Sequence, residues 1–404
     1  MTTPESSDGP GTLPSWTDQM RLLDGLGERL IDKWRPDGAT EAEIQDMNRL
    51  VLSILSEGYL CHVYADPKRT AFMPHWNYAF NQGGPNPDYV YSTAEVEGGG
   101  TYKISGFRGT TRFVEITQQT WMFLAPKLIE TGGTVQGTHD LDDLTLGDDG
   151  YFSVILSGER PEGHDGDWWK LGTETRRLTL RRCSCDWRNE VDARIAIQRL
   201  DDPGEDMSPQ ESARRFSELA RWIEDMIDFD MQLIRWYREH HGVNQVLRSK
   251  KIDTMGGLPR QAYYDGMHEI TDDEALIYET ELPEKVRYWQ VLVGDDRFCT
   301  VDWVNRQSSL NDHQARIDSD GKFRAVISKR DPGVPNWLDK ANYPWGVIQM
   351  RFFVATDYPD PVVTKVPFDE IRQRLPADTP VVTPDERRLQ LQDRREAALL
   401  RRIW

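Results

Sequence analysis

The chain has 404 residues, of which 38% are hydrophobic and 29% charged, and its formal net charge is −18. That length exceeds one ordinary hydrophobic core, so it predicts two packed units, and the mix suits a globular rather than a disordered chain. The acidic balance excludes a general nucleic-acid binder, which needs a basic surface to neutralise phosphates, and it disfavours attachment to anionic membranes.

Residues 1–15 are polar, with no cationic start before an apolar run, and read as a disordered leader rather than a secretion signal. No stretch approaches the roughly 18 apolar residues of a spanning helix. Cys61, Cys183, Cys185 and Cys299 read as reduced thiols in a cytoplasmic protein. Cys183 and Cys185 would share one strand face, at poor geometry for a mutual bridge.

Helix starts are written in capping chemistry. Ser15 to Asp18, Thr40 to Glu43, Ser208 to Glu211 and Thr383 to Glu386 each place a hydroxyl three residues before an acid. After Thr40, Ile44, Met47, Val51, Ile54 and Leu55 form an apolar stripe at helical spacing. After Ser208 the stripe runs through Phe216, Leu219, Ile223, Met226, Ile227, Ile234 and Tyr237, and the helix ends before Gly242. Asp230 falls inside this stripe and reads first as a partly exposed carboxylate at its edge, with a buried, functional acid as the lesser alternative. The last helix is rich in arginine and ends in Leu399, Leu400, Ile403 and Trp404. It is expected to dock on its own body or to join a homo-oligomer.

Between the helices a strand pattern repeats. Asp149-Gly150 and the run to Ser157 match Asp320-Gly321 and the run to Ser328 without a gap, and both copies then reach a proline, Pro161 and Pro332. Asp167-Trp168 and Asn336-Trp337 follow, then strands carrying Arg181 and Arg351. Upstream, the segment from Tyr91 and a strand ending at Gly106 resemble the segment from Tyr278 and a strand ending at Gly294. Aspartate-glycine before an apolar run is turn chemistry, because glycine accepts positive φ. The expected fold is mainly β with helical additions: a duplicated antiparallel β-sandwich of jelly-roll type with N-terminal, central and C-terminal helices. The units are read as a helical region over 16–84, a first sandwich over 85–204, a linking helix within 205–260, a second sandwich over 261–370 and a helical tail over 371–404.

Two stretches carry a family likeness. Pro85 to Ser92 with Thr101 to Gly106, and Asp302 to Asn311 through Asn336-Trp337-Leu338 to Gln349-Met350-Arg351, resemble the bacterial domain-of-unknown-function families 1214 and 1254. The likeness covers about residues 50 to 355. It implies a double β-sandwich with helical additions and no settled activity, and the chain departs from the longer members in lacking a secretion signal.

Familiar catalytic signatures are missing from the sequence: no dinucleotide-binding glycine motif, phosphate loop, Gly-x-Ser-x-Gly elbow or His-Glu-x-x-His. No metal site is assigned. His139-Asp140 with Asp142 and Asp143, and His164-Asp165 with Asp167, read first as solvated turns, and as ligands they would suit calcium better than zinc. The first candidate site is Asn86-Pro87-Asp88 with Tyr91, stiffened by Pro85 and Pro87, where an Asx turn is the competing reading. The second spans Asp302 to Asn311, with Trp303 and Arg306; Arg306 either pairs with Asp302 or holds a substrate carboxylate. Glu115 and Arg351 are further inward-facing candidates. Asp88 with Asp302 or Glu115 would act as general acid and base, while Asn86, Tyr91, Trp303, Arg306, Asn311, Trp337 and Arg351 would orient the substrate. The expected function is a cofactor-independent hydrolase, lyase or isomerase acting on a small cyclic, glycoside-like or terpenoid-like molecule. The alternatives are a small-molecule or carbohydrate binding protein without turnover, and an oligomer-building unit.

Overall fold

A computed structural model describes residues 13–120, 135–201, 204–249 and 257–403. Nine strands form the first unit: β1 (Met73–Pro74), β2 (Tyr89–Glu95), β3 (Tyr102–Phe107), β4 (Phe113–Gln119), β5 (Val135–Asp140), β6 (Tyr151–Ser157), β7 (Asp167–Lys170), β8 (Arg177–Cys183) and β9 (Arg194–Arg199). Nine more form the second: β10 (Gln245–Arg248), β11 (Gln261–Glu269), β12 (Glu274–Thr280), β13 (Val286–Val293), β14 (Ser309–Asn311), β15 (Phe323–Ser328), β16 (Trp337–Asp339), β17 (Trp345–Ala355) and β18 (Val362–Pro367).

Strand order repeats with a constant offset of nine. The first unit has sheets β1-β2-β8-β4-β5 and β7-β6-β3-β9, and the second has β10-β11-β17-β13-β14 and β16-β15-β12-β18. Each unit is therefore a sandwich of one five-stranded and one four-stranded sheet. Pairing is antiparallel except at β6/β7 and β15/β16, which run parallel at equivalent edges. Both aspartate-glycine turns form: Gly150 and Gly321 have φ of 77° and 83°, and the turns close through Gly147 N–H to Tyr151 O and Asp318 N–H to Lys322 O.

Register corrects the upstream half of the expected repeat. Tyr91 pairs with Arg181, and Tyr263 pairs with Arg351, so the counterpart of Tyr91 is Tyr263 and not Tyr278. Short alternating strands resemble their neighbours, which let the sequence comparison slip by one strand. The second unit also begins earlier than residue 261, because β10 is an edge strand of its five-stranded sheet.

Period-two alternation gives each five-stranded sheet two different faces. On the first, Ala94, Val114, Ile116, Leu178 and Leu180 face the unit's own core; on the second, Tyr264, Val291, Ile348, Met350 and Phe352 do so. The opposite faces carry Tyr89, Tyr91, Phe113 and Cys183 from one unit and Tyr288 and Phe353 from the other, packed into one cluster. The two polar-rich faces thus lie against each other and form the seam of the molecule. Phe113 and Phe353 meet there at 4.3 Å between ring centroids, and Tyr89 donates to Gln261 at 2.9 Å.

Helices close one side of this seam. α1 (Trp16–Arg21), α2 (Leu26–Trp34) and α3 (Glu41–Gly58) precede the strands, and α4 (Pro209–Ser217) and α5 (Leu219–His240) link the units. The linker is thus two helices, not one. Capping boxes form at Thr40 and Thr383, and Ser15 and Ser208 cap α1 and α4. α2, α3 and α5 share a core with Met267, Phe298 and Val347 of the second unit. Among the described residues, no helix is long and apolar enough to cross a membrane.

After the short α6 (Ile371–Arg374), the tail helix α7 (Pro384–Leu400) docks on its own chain. Its leucines are not the anchors: Leu399 and Leu400 are exposed. The anchors are Arg387 and Arg394, seven residues apart on one helical face, and Arg401, the extended residue that ends the helix. Arg387 pairs with Asp331; Arg394 donates to the Trp303 and Arg306 carbonyls; Arg401 donates to the carbonyls of Pro87 and Asp88 and pairs with Asp192. Removing Arg401 strands Asp192 and two carbonyls. Arg401→Met is therefore expected to lose about 3–5 kcal/mol in urea unfolding. Leu399→Ala should stay within about 0.5 kcal/mol of the parent.

Candidate functional site

Asn86, Asp88 and Asn311 do come together, at a hub on the seam. Asp88 is fully buried and accepts from Trp187 Nε1 at 2.8 Å, Tyr288 Oη at 2.6 Å and Asn311 Nδ2 at 2.7 Å. Asn86 Oδ1 accepts from the Asp88 amide, which is the Asx turn, and its Nδ2 donates to Tyr288. Burial pushes the Asp88 carboxyl up and the three donors oppose that shift. With its donors supplied by both sandwiches, this carboxylate ties the units together. An amide at this position would turn an N–H group toward donors. Asp88→Asn is accordingly expected to cost about 3 kcal/mol in chemical denaturation.

The remaining candidates lie elsewhere. Asp302 is exposed and accepts from the amides of Val304 and Asn305. Arg306 pairs with Asp339 at 2.8 Å and not with Asp302, whose oxygens are already used within their own turn. Trp303 packs with Trp187 and the α7 alanines, and Trp337 donates to Ser328 O. The acidic loop after β5 has cationic partners, Asp140 with Arg287 and Asp142 with Arg108 and Arg287, while Asp167 of the other loop accepts from Thr145.

Glu115 belongs to that ion network at another edge of the seam. It is fully buried and pairs with Arg260 of the second unit, while Asp140 lies close by. Burial, opposed by Arg260, pushes its carboxyl up to about 7. Folding thus favours its protonated form, so this group's contribution to stability falls as pH rises from its unfolded value toward 7. Glu115→Gln should flatten that limb of the melting-temperature profile between pH 4.5 and pH 7, measured by calorimetry.

Tyr91 and Arg351 lie in a different place, a cavity of about 110 Å³ between the two five-stranded sheets and α5. Further polar residues line it, among them Arg181, Tyr263, Asp230, Gln261 and Gln349. Arg181 stands over the Tyr91 ring at 6.0 Å and Arg351 over the Tyr263 ring at 5.9 Å, the same pair built once by each copy. Met226, Phe229 and Leu233 of α5, with Phe298, supply an apolar wall. Gly84 makes the close approach possible: its φ is +60°, and a Cβ there would meet Gln349 Oε1 at 2.6 Å. Its carbonyl accepts from Arg351 at 3.1 Å.

Asp230 is fully buried, not at the exposed edge of a stripe. The helix is sandwiched between other helices and the second unit, so its flank is as enclosed as its apolar face. Its Oδ2 accepts from the Gly83 amide at 3.2 Å, and its Oδ1 has no hydrogen-bond partner among the described residues. Burial drives its carboxyl well above the ordinary range, with Asp295 and Glu57 adding to the rise. Asp265, also buried, is raised to about 6 by desolvation and accepts from Gln349.

One group among the described residues has the composition of a metal centre: Glu57, Cys61 and His75, all buried. Glu57 already receives His75, Gln82 and the Trp76 amide, and the Arg177 guanidinium stands 2.8 Å from His75 Nε2. A resident guanidinium on the open side of the imidazole opposes a second cation, and the cluster reads as a buried ion network.

Sequence reasoning placed Asp230 at an exposed edge first and as a buried acid only second, missed Tyr263, and did not single out Arg181 as a site residue. The legible signal was the repeat itself: once Arg181 and Arg351 are matched, Tyr91 requires a counterpart.

The architecture defines a protein of the duplicated double β-sandwich class, with its cavity between the copies. Residues 268–356 match the family described as protein of unknown function (DUF1214). That segment covers most of the second sandwich, and through it the chain is similar to this family. An uncharacterised protein from Burkholderia cenocepacia, known from a crystal structure, shares the fold at a TM-score of 0.80 and 24% identity, over 88% of this chain and 97% of that one. A Vibrio parahaemolyticus protein aligns over 85% of this chain and 100% of its own at a TM-score of 0.42 and 13% identity. No curated protein matches.

Proposed function

We propose that the seam cavity is the active site of an enzyme that moves protons on a small, ring-sized molecule without an organic cofactor, with Asp230 as general acid and base. One observation carries this reading: a fully buried carboxyl lines the cavity with one oxygen that has no partner among the described residues. Leaving a buried polar oxygen unpaired costs stability, so its retention makes sense where a ligand completes it. A carboxyl whose protonated form is favoured by burial can donate to a substrate oxygen and take the proton back later, as isomerisation, elimination and hydrolysis all require. The enclosed volume limits the ligand: at about 110 Å³ it is below the roughly 150 Å³ of an engineered cavity that takes benzene, so one ring would fill it and extend toward its open side. Met226, Phe229, Leu233 and Phe298 would hold its apolar body. Asp88 and Glu115 act in this reading through the scaffold, because neither lines the cavity.

Incubation with a set of small cyclic acids, alcohols and ketones, followed by mass spectrometry, should give a product with the parent protein. Asp230→Asn should lower that conversion by about 10²–10⁴-fold. Retention of conversion within threefold would remove Asp230 from the reaction, and ligand binding without any conversion would favour a binding protein. A substrate-free measurement accompanies it. Folding holds the Asp230 proton more tightly than the unfolded chain does, so the parent loses stability as pH rises above the ordinary aspartate range. Asp230→Asn should therefore melt higher than the parent at pH 8, and the gap should close toward pH 4.

A further inference from the structure

We infer that the molecule held in the seam cavity carries a carboxylate, gripped jointly by Arg181 and Arg351. The inference rests on the cavity being a ligand site, and it adds the chemical class of the ligand.

Both guanidinia are buried, and neither is in ion-pair contact with a carboxylate among the described residues. Arg351 donates to Gln290 Oε1, Gly84 O and Gln349 Oε1, all neutral acceptors. Arg181 donates only to Thr117 Oγ1, at 2.9 Å. A guanidinium offers five N–H donors, so Arg351 keeps two unassigned and Arg181 four. The nearby acids are engaged otherwise. Asp265 lies within electrostatic reach of Arg351 and Glu115 within that of Arg181, but neither acid is in ion-pair contact with them: Asp265 accepts from Gln349, and Glu115 is paired with Arg260.

Buried cations without a carboxylate in contact are costly, and the duplication has placed two of them at equivalent positions facing one cavity. Tyr91 and Tyr263 each lie within the electrostatic reach of both guanidinia, so the two charges share one neighbourhood. A planar carboxylate matches the guanidinium fork, while the apolar wall of α5 suits a hydrocarbon body and not a second charged group. Burial favours the uncharged form of Asp230, which opposes such a ligand less than a carboxylate would. The predicted ligand is a small monocarboxylic acid with one ring or a short branched chain.

Three probes of one shape separate the possibilities: benzoate, its neutral isostere benzamide, and benzene, titrated calorimetrically and by thermal shift. Benzoate should bind to the parent at least tenfold more tightly than benzamide. Arg181→Met and Arg351→Met should each weaken benzoate at least tenfold and leave benzamide and benzene within threefold. The double variant should lose less than the product of the single effects, because both side chains grip one group. Equal binding of benzoate and benzamide overturns the carboxylate inference while the cavity reading stands. Failure of all three probes to bind overturns both. Because the comparison of probes uses the parent protein, it decides the matter even if the arginine variants fail to fold; Arg181→Lys and Arg351→Lys then serve as charge-retaining variants, expected to weaken benzoate less than loss of the charge would.

Discussion

The structure depends on burying two polar sheet faces against each other. A five-stranded sheet normally covers one face with a core and leaves the other to water. Here the second face of each sheet meets its counterpart, so tyrosines, arginines, threonines and amides are enclosed where desolvation makes any unpaired group expensive. Most of the seam is solved by hydrogen bonds between the copies: Tyr288 and Asn311 on Asp88, Tyr89 on Gln261, Arg112 on Asp312, and Arg287 on Asp140. Arg112 and Arg287 occupy equivalent positions and reach in opposite directions, as two copies facing each other require. The cavity is one place where that pairing is left incomplete, and the described residues leave there Asp230 Oδ1 and several guanidinium donors.

Duplication followed by divergence explains why the two halves of the seam are chemically unequal. Glu115 and Asp140 of the first unit correspond by register to Gln290 and Asn311 of the second. One copy keeps acids that need arginines from across the seam, and the other has amides that pair locally or with Asp88. The Arg–Tyr pairs did not diverge in this way. Retaining both where their neighbours changed fits a joint task better than a packing need, since a single neutral residue would fill the same space without the desolvation cost of a charge.

Much of the scaffold was legible from sequence because its signals are local. Hydroxyl-to-acid spacing located four helix starts, and aspartate-glycine followed by alternating residues located the two matching turns and strands. The repeat survived in the stretch from Asp149 to Arg181 because turn residues are constrained by backbone conformation and not by neighbours. Upstream, where only strand alternation marks position, the match slipped by one strand and hid the equivalence of Tyr91 and Tyr263. The site was harder to read for a related reason. Asp88, Asn86 and Asn311 looked functional because polar residues crowd apolar strands, yet that crowding is what a polar seam demands. Asp230 looked peripheral because helical periodicity reports one buried face and is silent about what covers the flank. Arg306 was matched with the nearest acid in sequence, while the fold offered Asp339 across a strand pair.

The hold of Arg401 on the carbonyls of Pro87 and Asp88 links positions 314 and 313 residues apart. During synthesis on a ribosome the first sandwich emerges long before its clamp exists. Its Asp88 corner must wait, half-supported, through translation of the helical linker, the second sandwich and nearly all of α7. Assembly of the seam is therefore a late event, and the intermediate preceding it exposes the tyrosine-rich face that chaperones and neighbouring nascent chains would meet first.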